Sequence, residues 1–167
     1  MGTMQNALRV AGWCFVAMAI VGLAATVTMR PLIFPSLGPT AMMQFTNPLD
    51  RNSSPRHVLI GHFVGAAAGY VALALTGLLG VPLSADVGIH RIVAAAIALA
   101  LTSCLLILLK AEHPPAGATT LIVALGILPK VEDLLFLMAG VVALTALAFL
   151  LNRASRIPYP VWQSIGE

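Results

Sequence analysis

Residues 10–29 read VAGWCFVAMAIVGLAATVTM and contain no charged side chain. A helix needs about 20 mainly apolar residues to cross the hydrocarbon core of a bilayer, and this stretch supplies them. Three further stretches share its apolar composition, at residues 57–81, 92–109 and 134–151. The sequence therefore predicts four transmembrane helices. The first is too long for the apolar core of a secretory signal, so we interpret it as a retained helix.

The composition of the whole chain agrees with lipid as the solvent. Of its 167 residues, 59% are hydrophobic and 9% are charged, whereas about a quarter are charged in a typical soluble domain. The nine basic residues are scattered, which excludes the clustered basic face of a nucleic-acid binder. No fingerprint of a common enzyme, metal site or nucleotide site occurs. We expect a single domain over residues 1–167 that is not an enzyme and binds no metal, cofactor or nucleic acid.

Two other uncharged stretches are interrupted by proline and glycine. Residues 31–49 read PLIFPSLGPTAMMQFTNPL, and residues 114–129 read PPAGATTLIVALGILP. The prolines prevent a continuous helix from the preceding span, yet both stretches are too apolar for ordinary loops. Broken backbone at membrane depth persists only where protein buries it or where it lines a watery cavity. The predicted fold is an all-α membrane protein with four transmembrane helices and two re-entrant half-helices, whose first turns hold Pro39 and Pro115.

The two halves of the chain share a pattern at a spacing of 79 residues. Residues 35–41 and 114–120 both read P-x-x-G-x-T-[AT], and the same shift brings the first span onto the third and the second onto the fourth. We therefore predict an internal two-fold repeat over about residues 10–81 and 89–160. If each broken segment enters and leaves on one side, the copies have parallel topology. The basic residues then divide almost equally between the two sides, so the positive-inside rule gives no orientation.

Candidate anion-binding groups lie at the starts of the two half-helices. A helix start offers unpaired N–H donors and about half a positive charge, and glycine lets a ligand approach the backbone. Close helix packing and self-capping are the alternative interpretation of the same glycines and threonines. The predicted substrate-binding residues are Ser36, Gly38, Thr40, His62, His113, Gly117, Thr119 and Thr120.

Other residues have a predicted place at the membrane surface or between helices. Arg30 and Lys110 each follow a span; they either anchor it at the headgroups or tune the charge of the site. Tyr159 and Trp162 lie beyond the fourth span and are expected to be interface anchors. Glycines at every fourth position predict a close helix contact along the second span, at Gly61, Gly65 and Gly69.

Residues 112–119 read EHPPAGAT and resemble the signature of the HPP family, small integral membrane proteins named for the His-Pro-Pro triplet. Residues 35–41 (PSLGPTA) and 55–62 (PRHVLIGH) are similar to two further blocks of that family, whereas His57 and Ile60 depart from its pattern. The resemblance implies a four-span membrane protein, and some plant-plastid and cyanobacterial members are linked to nitrite transport. The positions that it carries over are Pro35, Ser36, Gly38, Pro55, Arg56, Gly61, His62, His113, Pro114, Pro115 and Gly117.

Together these features predict a transporter or channel for a small monovalent anion, with nitrite as the best single candidate. Because four transmembrane helices are few to surround a transport pathway, we expect a homo-oligomer in the bilayer, with the glycine face of the second span at helix contacts. The expected location is a bacterial inner (plasma) membrane. The alternatives are a non-transporting scaffold or partner subunit, and a proton sensor using His62 and His113. A hydrated polar centre favours transport, and a dry packed centre favours the scaffold.

Overall fold

The computed structural model describes residues 2–85 and 88–163, and that part of the chain contains helices and loops but no strand. Two short 3-10 helices, Arg51–Ser53 and Leu83–Ala85, lie in the loops. The six α-helices are α1 (Thr3–Thr28), α2 (Leu37–Thr46), α3 (Pro55–Leu75), α4 (Ile89–Leu108), α5 (Ala116–Ala124) and α6 (Val131–Ala154).

The four long helices correspond to the four predicted spans. By length and composition, α1, α3, α4 and α6 are each able to cross a membrane, which confirms an all-helical multi-pass membrane protein. The two proline-broken stretches form the short helices α2 and α5, of 10 and 9 residues. Pro39 lies in the first turn of α2, and Pro115 is the N-cap of α5, where the missing N–H of proline costs nothing.

Helix α3 lies at the centre of the bundle, and its glycine face packs against α5. Of its most apolar window, 56% is buried, against 11% for α1. A Cβ atom on Gly61 would lie 2.8 Å from the Cβ of His113, and one on Gly65 would lie 2.8 Å from the carbonyl oxygen of Ala116. The close helix contact predicted from the glycines is therefore present. It lies within the chain, however, so the glycine face is not available for the contacts between copies that we had expected.

The contacts of α3 also give the direction of α5. Along α3 from Gly61 to Gly69, the neighbouring residue on α5 advances from Ala116 to Val123, so the two helices run in parallel. The start of α3 lies beside the end of α4, because the Arg56 guanidinium donates to the carbonyls of residues 109 and 110. Beyond α5, residue 126 packs against residue 91 near the start of α4. Residues 110–126 therefore connect the two ends of the bundle.

Residues 29–46 connect the two ends in the same way. At one end, the Arg30 guanidinium lies 4.9 Å from the ring centroid of Phe136, near the start of α6. At the other, the Asn152 amide near the end of α6 donates to the carbonyl of Gln44, near the end of α2. We name the end that holds the starts of α1 and α3 and the ends of α2, α4 and α6 the terminal end, and the other the opposite end.

The re-entrant course predicted for the two broken segments is therefore not confirmed. Each half-helix belongs to a segment that passes from one end of the bundle to the other. A non-helical chain covers up to about 3.3 Å per residue against about 1.5 Å in a helix. The non-helical residues 29–36 therefore cover the part of the distance between the two ends that α2 is too short to span. The predicted parallel arrangement of the two halves assumed the re-entrant course and loses its basis.

Candidate functional site

The first turns of α2 and α5 meet at one histidine of α3. Thr40 and Thr119 each occupy the fourth position of their helix. The Thr40 hydroxyl lies 2.9 Å from His62 Nε2, and the Thr119 hydroxyl lies 2.6 Å from His62 Nδ1. All three side chains are fully buried. The two half-helix starts, which are far apart in the sequence, are thus joined through a single imidazole.

A second histidine completes this group. His113 Nε2 lies 3.2 Å from the Thr40 hydroxyl, and His113 Nδ1 donates to the carbonyl of Asn52 over 2.7 Å. The two imidazole rings are 5.1 Å apart between centroids and tilted by 56°. We call Thr40, His62, His113 and Thr119 the two-histidine cluster.

The local sequence explains why His113 reaches the cluster. Chain entering from the end of α4 turns at Lys110, which has a left-handed backbone with φ of 47°. Pro114 and Pro115 then lead into α5, which begins at Ala116, without losing a hydrogen bond, because N–H groups at a helix start have no helical partner. Gly61 leaves the space that His113 occupies, since any side chain there would overlap the histidine Cβ.

The remaining predicted hydroxyls lie near the cluster but outside it. Ser36 is fully buried at the N-cap of α2, and its hydroxyl has no hydrogen-bond partner among the described residues. Thr120 donates to the carbonyl of Ala116 and lies 2.9 Å from the hydroxyl of Thr102 on α4. Thr120 therefore joins α5 to α4, whereas Thr119 joins α5 to α3.

The two predicted glycines have open space around them. A Cβ on Gly38 would meet no atom within 4 Å, and one on Gly117 would meet only Leu99, at 3.6 Å. Neither glycine is needed for close helix packing, in contrast to Gly61 and Gly65 on α3.

The two predicted charge-tuning residues lie away from the cluster. Arg30 is exposed at the opposite end, where its guanidinium stacks on Phe136. Lys110 is exposed at the terminal end. Both positions fit the alternative interpretation, in which each side chain anchors its helix at the membrane surface.

A cavity adjoins the two-histidine cluster between α4 and the start of α5. It has a volume of about 250 Å³, and His113 and Gly117 form part of its wall. Its other polar groups come from Thr102, Ser103 and Glu112, and Glu112 lies 3.6 Å from Arg51. The centre itself is packed, since the four side chains of the cluster are at most 1% exposed. Among the described residues, no three His, Cys, Asp or Glu side chains are grouped for metal binding.

The chain after α6 contributes buried residues that the sequence did not reveal as such. Tyr159 was expected at the membrane interface but is fully buried. Its hydroxyl donates to the carbonyl of Ser53 and accepts from the Gln44 amide over 3.1 Å. Burial raises the pKa of Tyr159 above its ordinary value. The sequence placed Tyr159 wrongly because the segment after α6 is short and folds back. Such a segment has no apolar periodicity that would predict burial.

Asn52 contributes only its backbone carbonyl to the site. The sequence did not predict this contact, because a pattern of side chains does not indicate which backbone carbonyl accepts a hydrogen bond. His57 was missed for a different reason. It is buried on α3, with Nδ1 2.9 Å from the hydroxyl of Ser54. It lies in the block at residues 55–62, but it departs from the family's pattern there, so the resemblance assigned it no role.

A family model described as HPP, transmembrane region, matches residues 1–160. The chain belongs to the HPP transmembrane family. Its His-Pro-Pro triplet, residues 113–115, immediately precedes α5 and supplies one imidazole of the two-histidine cluster. No curated protein and no solved structure matches this HPP chain.

Proposed function

We propose that this HPP-family protein is a transporter or channel for a small monovalent anion, with nitrite as the best single candidate. The observation that carries the proposal is the meeting of two half-helix starts at His62, beside a small cavity walled by His113 and Gly117. The family resemblance supports nitrite only by analogy, because the link to nitrite concerns part of the family.

The chemistry of the site favours an anion that carries a single charge. Two helix starts bring partial positive charges to the cluster, although the first three N–H groups of α5 already donate to the carbonyls of residues 113–115. The buried Ser36 hydroxyl has no partner among the described residues. The cluster contains no Lys or Arg. Such a site stabilises one negative charge through dipoles, without the cost of a permanently buried cation.

An internal repeat is part of this proposal, in an inverted form. Helices α2 and α5 start at Leu37 and Ala116, 79 residues apart. A Cβ on Gly61 of α3 would lie 3.4 Å from the Cβ of Ala116, and one on Gly140 of α6 would lie 3.4 Å from Cδ1 of Leu37. The 79-residue shift relates Gly61 to Gly140 and Leu37 to Ala116, so it exchanges the two contacts. Each half passes between the two ends of the bundle three times. Because three is an odd number, the second copy runs in the opposite direction to the first. Inverted repeats of this kind recur in secondary transporters, with the substrate between the copies.

We further propose a homo-oligomer in a bacterial plasma membrane. The oligomer is supported by the cavity, because Leu99, Ser103 and Ile107 on its α4 wall are exposed and a neighbouring copy would cover them. The wall is mainly apolar but includes Glu112 and the Ser103 hydroxyl, which are unfavourable against lipid, so a protein cover is expected. The bacterial location is carried over from the sequence as an expectation.

The packed centre favours one competing function. A scaffold or partner subunit needs buried hydrogen bonds and no pathway, and the side chains of the two-histidine cluster are at most 1% exposed. Transport requires that α5 and its neighbours separate around the cluster during the cycle. Flux measurements distinguish the two functions.

The test is anion uptake into liposomes that contain the purified protein. Nitrite, nitrate, formate and chloride are compared, with the variants His113→Ala and Gly117→Leu. His90→Ala and Gly12→Leu are matched controls, because both residues are exposed and lie outside the site. We expect nitrite uptake that the site variants abolish and the controls retain. No uptake above empty liposomes for any anion would overturn the transport proposal, and equal uptake by all variants would overturn the site.

A further inference from the structure

The hydrogen bonds of the two-histidine cluster have a defined direction. The carbonyl of Asn52 is only able to accept, so His113 Nδ1, at 2.7 Å, carries a proton and donates it. In a neutral imidazole the other nitrogen is then an acceptor. The Thr40 hydroxyl, 3.2 Å from His113 Nε2, is the donor to it.

The Thr40 hydroxyl has three partners within reach and only one proton. They are His113 Nε2 at 3.2 Å, His62 Nε2 at 2.9 Å and the Ser36 carbonyl oxygen at 3.0 Å. While Thr40 donates to His113, His62 Nε2 must donate to Thr40. His62 Nδ1 then accepts from the Thr119 hydroxyl over 2.6 Å. Four hydrogen bonds in one series satisfy both rings in their neutral form.

The same geometry also accommodates one extra proton. A proton that binds to His113 Nε2 forms a new N–H bond, which donates to the oxygen of Thr40. Thr40 then turns its own hydroxyl proton to the Ser36 carbonyl, and the bonds of His62 to Thr40 and Thr119 stay as they were. Both nitrogens of the His113 imidazolium keep an acceptor, and neither ring has to move.

We propose that His113 takes up one proton with each anion, so that the protein carries the two together. This inference rests on the proposed function. His113 forms part of the cavity wall, so an anion bound in the cavity would lie beside the ring. A negative charge there favours the imidazolium, and the imidazolium favours the anion, so the two bind cooperatively. Water supplies the proton on one side of the membrane and accepts it on the other.

The charged groups around His113 lie toward the terminal end. Glu112 shares the cavity and pairs with Arg51 at 3.6 Å, and Arg56 donates to the carbonyls that end α4. On α3, the buried His57 lies one turn before Gly61. Lys110, which follows α4, is exposed. The remaining titratable groups of the described part of α4 are His90 and Arg91, at the opposite end, and the exposed Cys104, and the described residues of α2 and α5 have none.

The test follows proton and anion entry together in liposomes with a trapped pH dye. External nitrite or nitrate is added near neutral pH, with and without potassium and valinomycin. Coupled transport acidifies the lumen as the anion enters, at a rate that valinomycin does not change. Nitrate serves because nitric acid is fully ionised, whereas undissociated nitrous acid crosses lipid unaided, and empty liposomes correct for that leak.

Variants assign the proton to His113. We expect His113→Gln to lose the acidification, while the exposed His90→Gln keeps it. Thr40→Val, which removes the acceptor for the Nε2 proton, should behave like His113→Gln, and Thr40→Ser should restore coupling. Thr26→Val is the control, since the Thr26 hydroxyl makes the same bond to a carbonyl four residues earlier in an exposed position.

The outcomes separate the two proposals. Anion uptake without acidification, driven only when valinomycin balances the charge, overturns proton coupling and leaves transport intact. Acidification that His113→Gln retains in full overturns the assignment to His113. No protein-dependent uptake of either anion overturns transport, and coupling with it.

Discussion

At the scale of single residues, the glycines divide into those that a close helix contact requires and those with open space around them. Gly65 on α3 is needed because the Ala116 carbonyl and the Thr120 hydroxyl lie where its Cβ would be, both at 2.8 Å. Gly117, at the wall of the cavity, has space for a Cβ. The first kind fixes the spacing of α3 and α5, and the second borders the candidate site.

Gly65→Ala is expected to destabilise the protein by about 1–3 kcal/mol, because the added methyl group forces α3 and α5 apart. Gly12→Ala is the matched control, since Gly12 lies in α1 with no atom within 4 Å of a Cβ, and alanine favours helix. Unfolding of the purified protein in detergent measures the difference. Equal stability of the two variants would contradict the packing assigned to Gly65.

At the scale of elements, the short helices depend on neighbours to hold their ends. The last turn of α2 is fixed at Gln44, whose carbonyl accepts from Asn152 of α6 and whose amide donates to Tyr159. Tyr159 in turn donates to the carbonyl of Ser53, next to the carbonyl that accepts from His113. The segment after α6 thus stabilises the loop on which the two-histidine cluster rests.

Tyr159→Phe is expected to cost about 1–3 kcal/mol, since it leaves the buried Ser53 carbonyl and Gln44 amide short of a partner. Because burial raises the pKa of Tyr159, the native protein loses stability as the pH rises above about 10, where the unfolded tyrosine ionises. The variant lacks this alkaline loss. Unfolding at several pH values measures both effects, with the half-buried Tyr70→Phe as control. Similar results for the two variants would contradict the role of Tyr159.

The sequence predicted the elements better than their course. Charge-free length was enough for the four spans, and proline chemistry was enough for the short helices around Pro39 and Pro115. The direction of α5 depends on contacts between Gly61 and Ala116, which are distant in the chain and have no local signal. For the same reason, the candidate residues were identified separately, while the pairing of Thr40 with Thr119 through His62 emerged only from the fold.

At the scale of the whole molecule, the course of the broken segments redistributes the basic residues. With both segments crossing, three lie at the opposite end: Arg30, Arg91 and Lys130. Six lie at the terminal end: Arg9, Arg51, Arg56, Lys110, Arg153 and Arg156. The excess of positive charge favours the cytoplasm for the terminal end.

Cysteine labelling tests this arrangement. We expect Leu49→Cys, at the terminal end, to react with an impermeant maleimide only after the cells are permeabilised, and Lys130→Cys to react in intact cells. Both side chains are exposed, and the native Cys14 and Cys104 are replaced by serine beforehand. Re-entrant segments would place both positions on one side. Identical labelling of the two cysteines would therefore contradict the crossing course.

The shortness of α5 has a consequence for how the chain enters the membrane. Nine helical residues span about 13 Å, less than half of a hydrocarbon core of about 30 Å, so α5 is too short to insert as an independent unit. It must enter together with α4 or α6. Until it does, the glycine face of α3 has no helix packed against it, and His62 lacks its hydrogen bond to Thr119. We therefore expect a late step in biogenesis, at which α5 packs against a helix that is already in the bilayer.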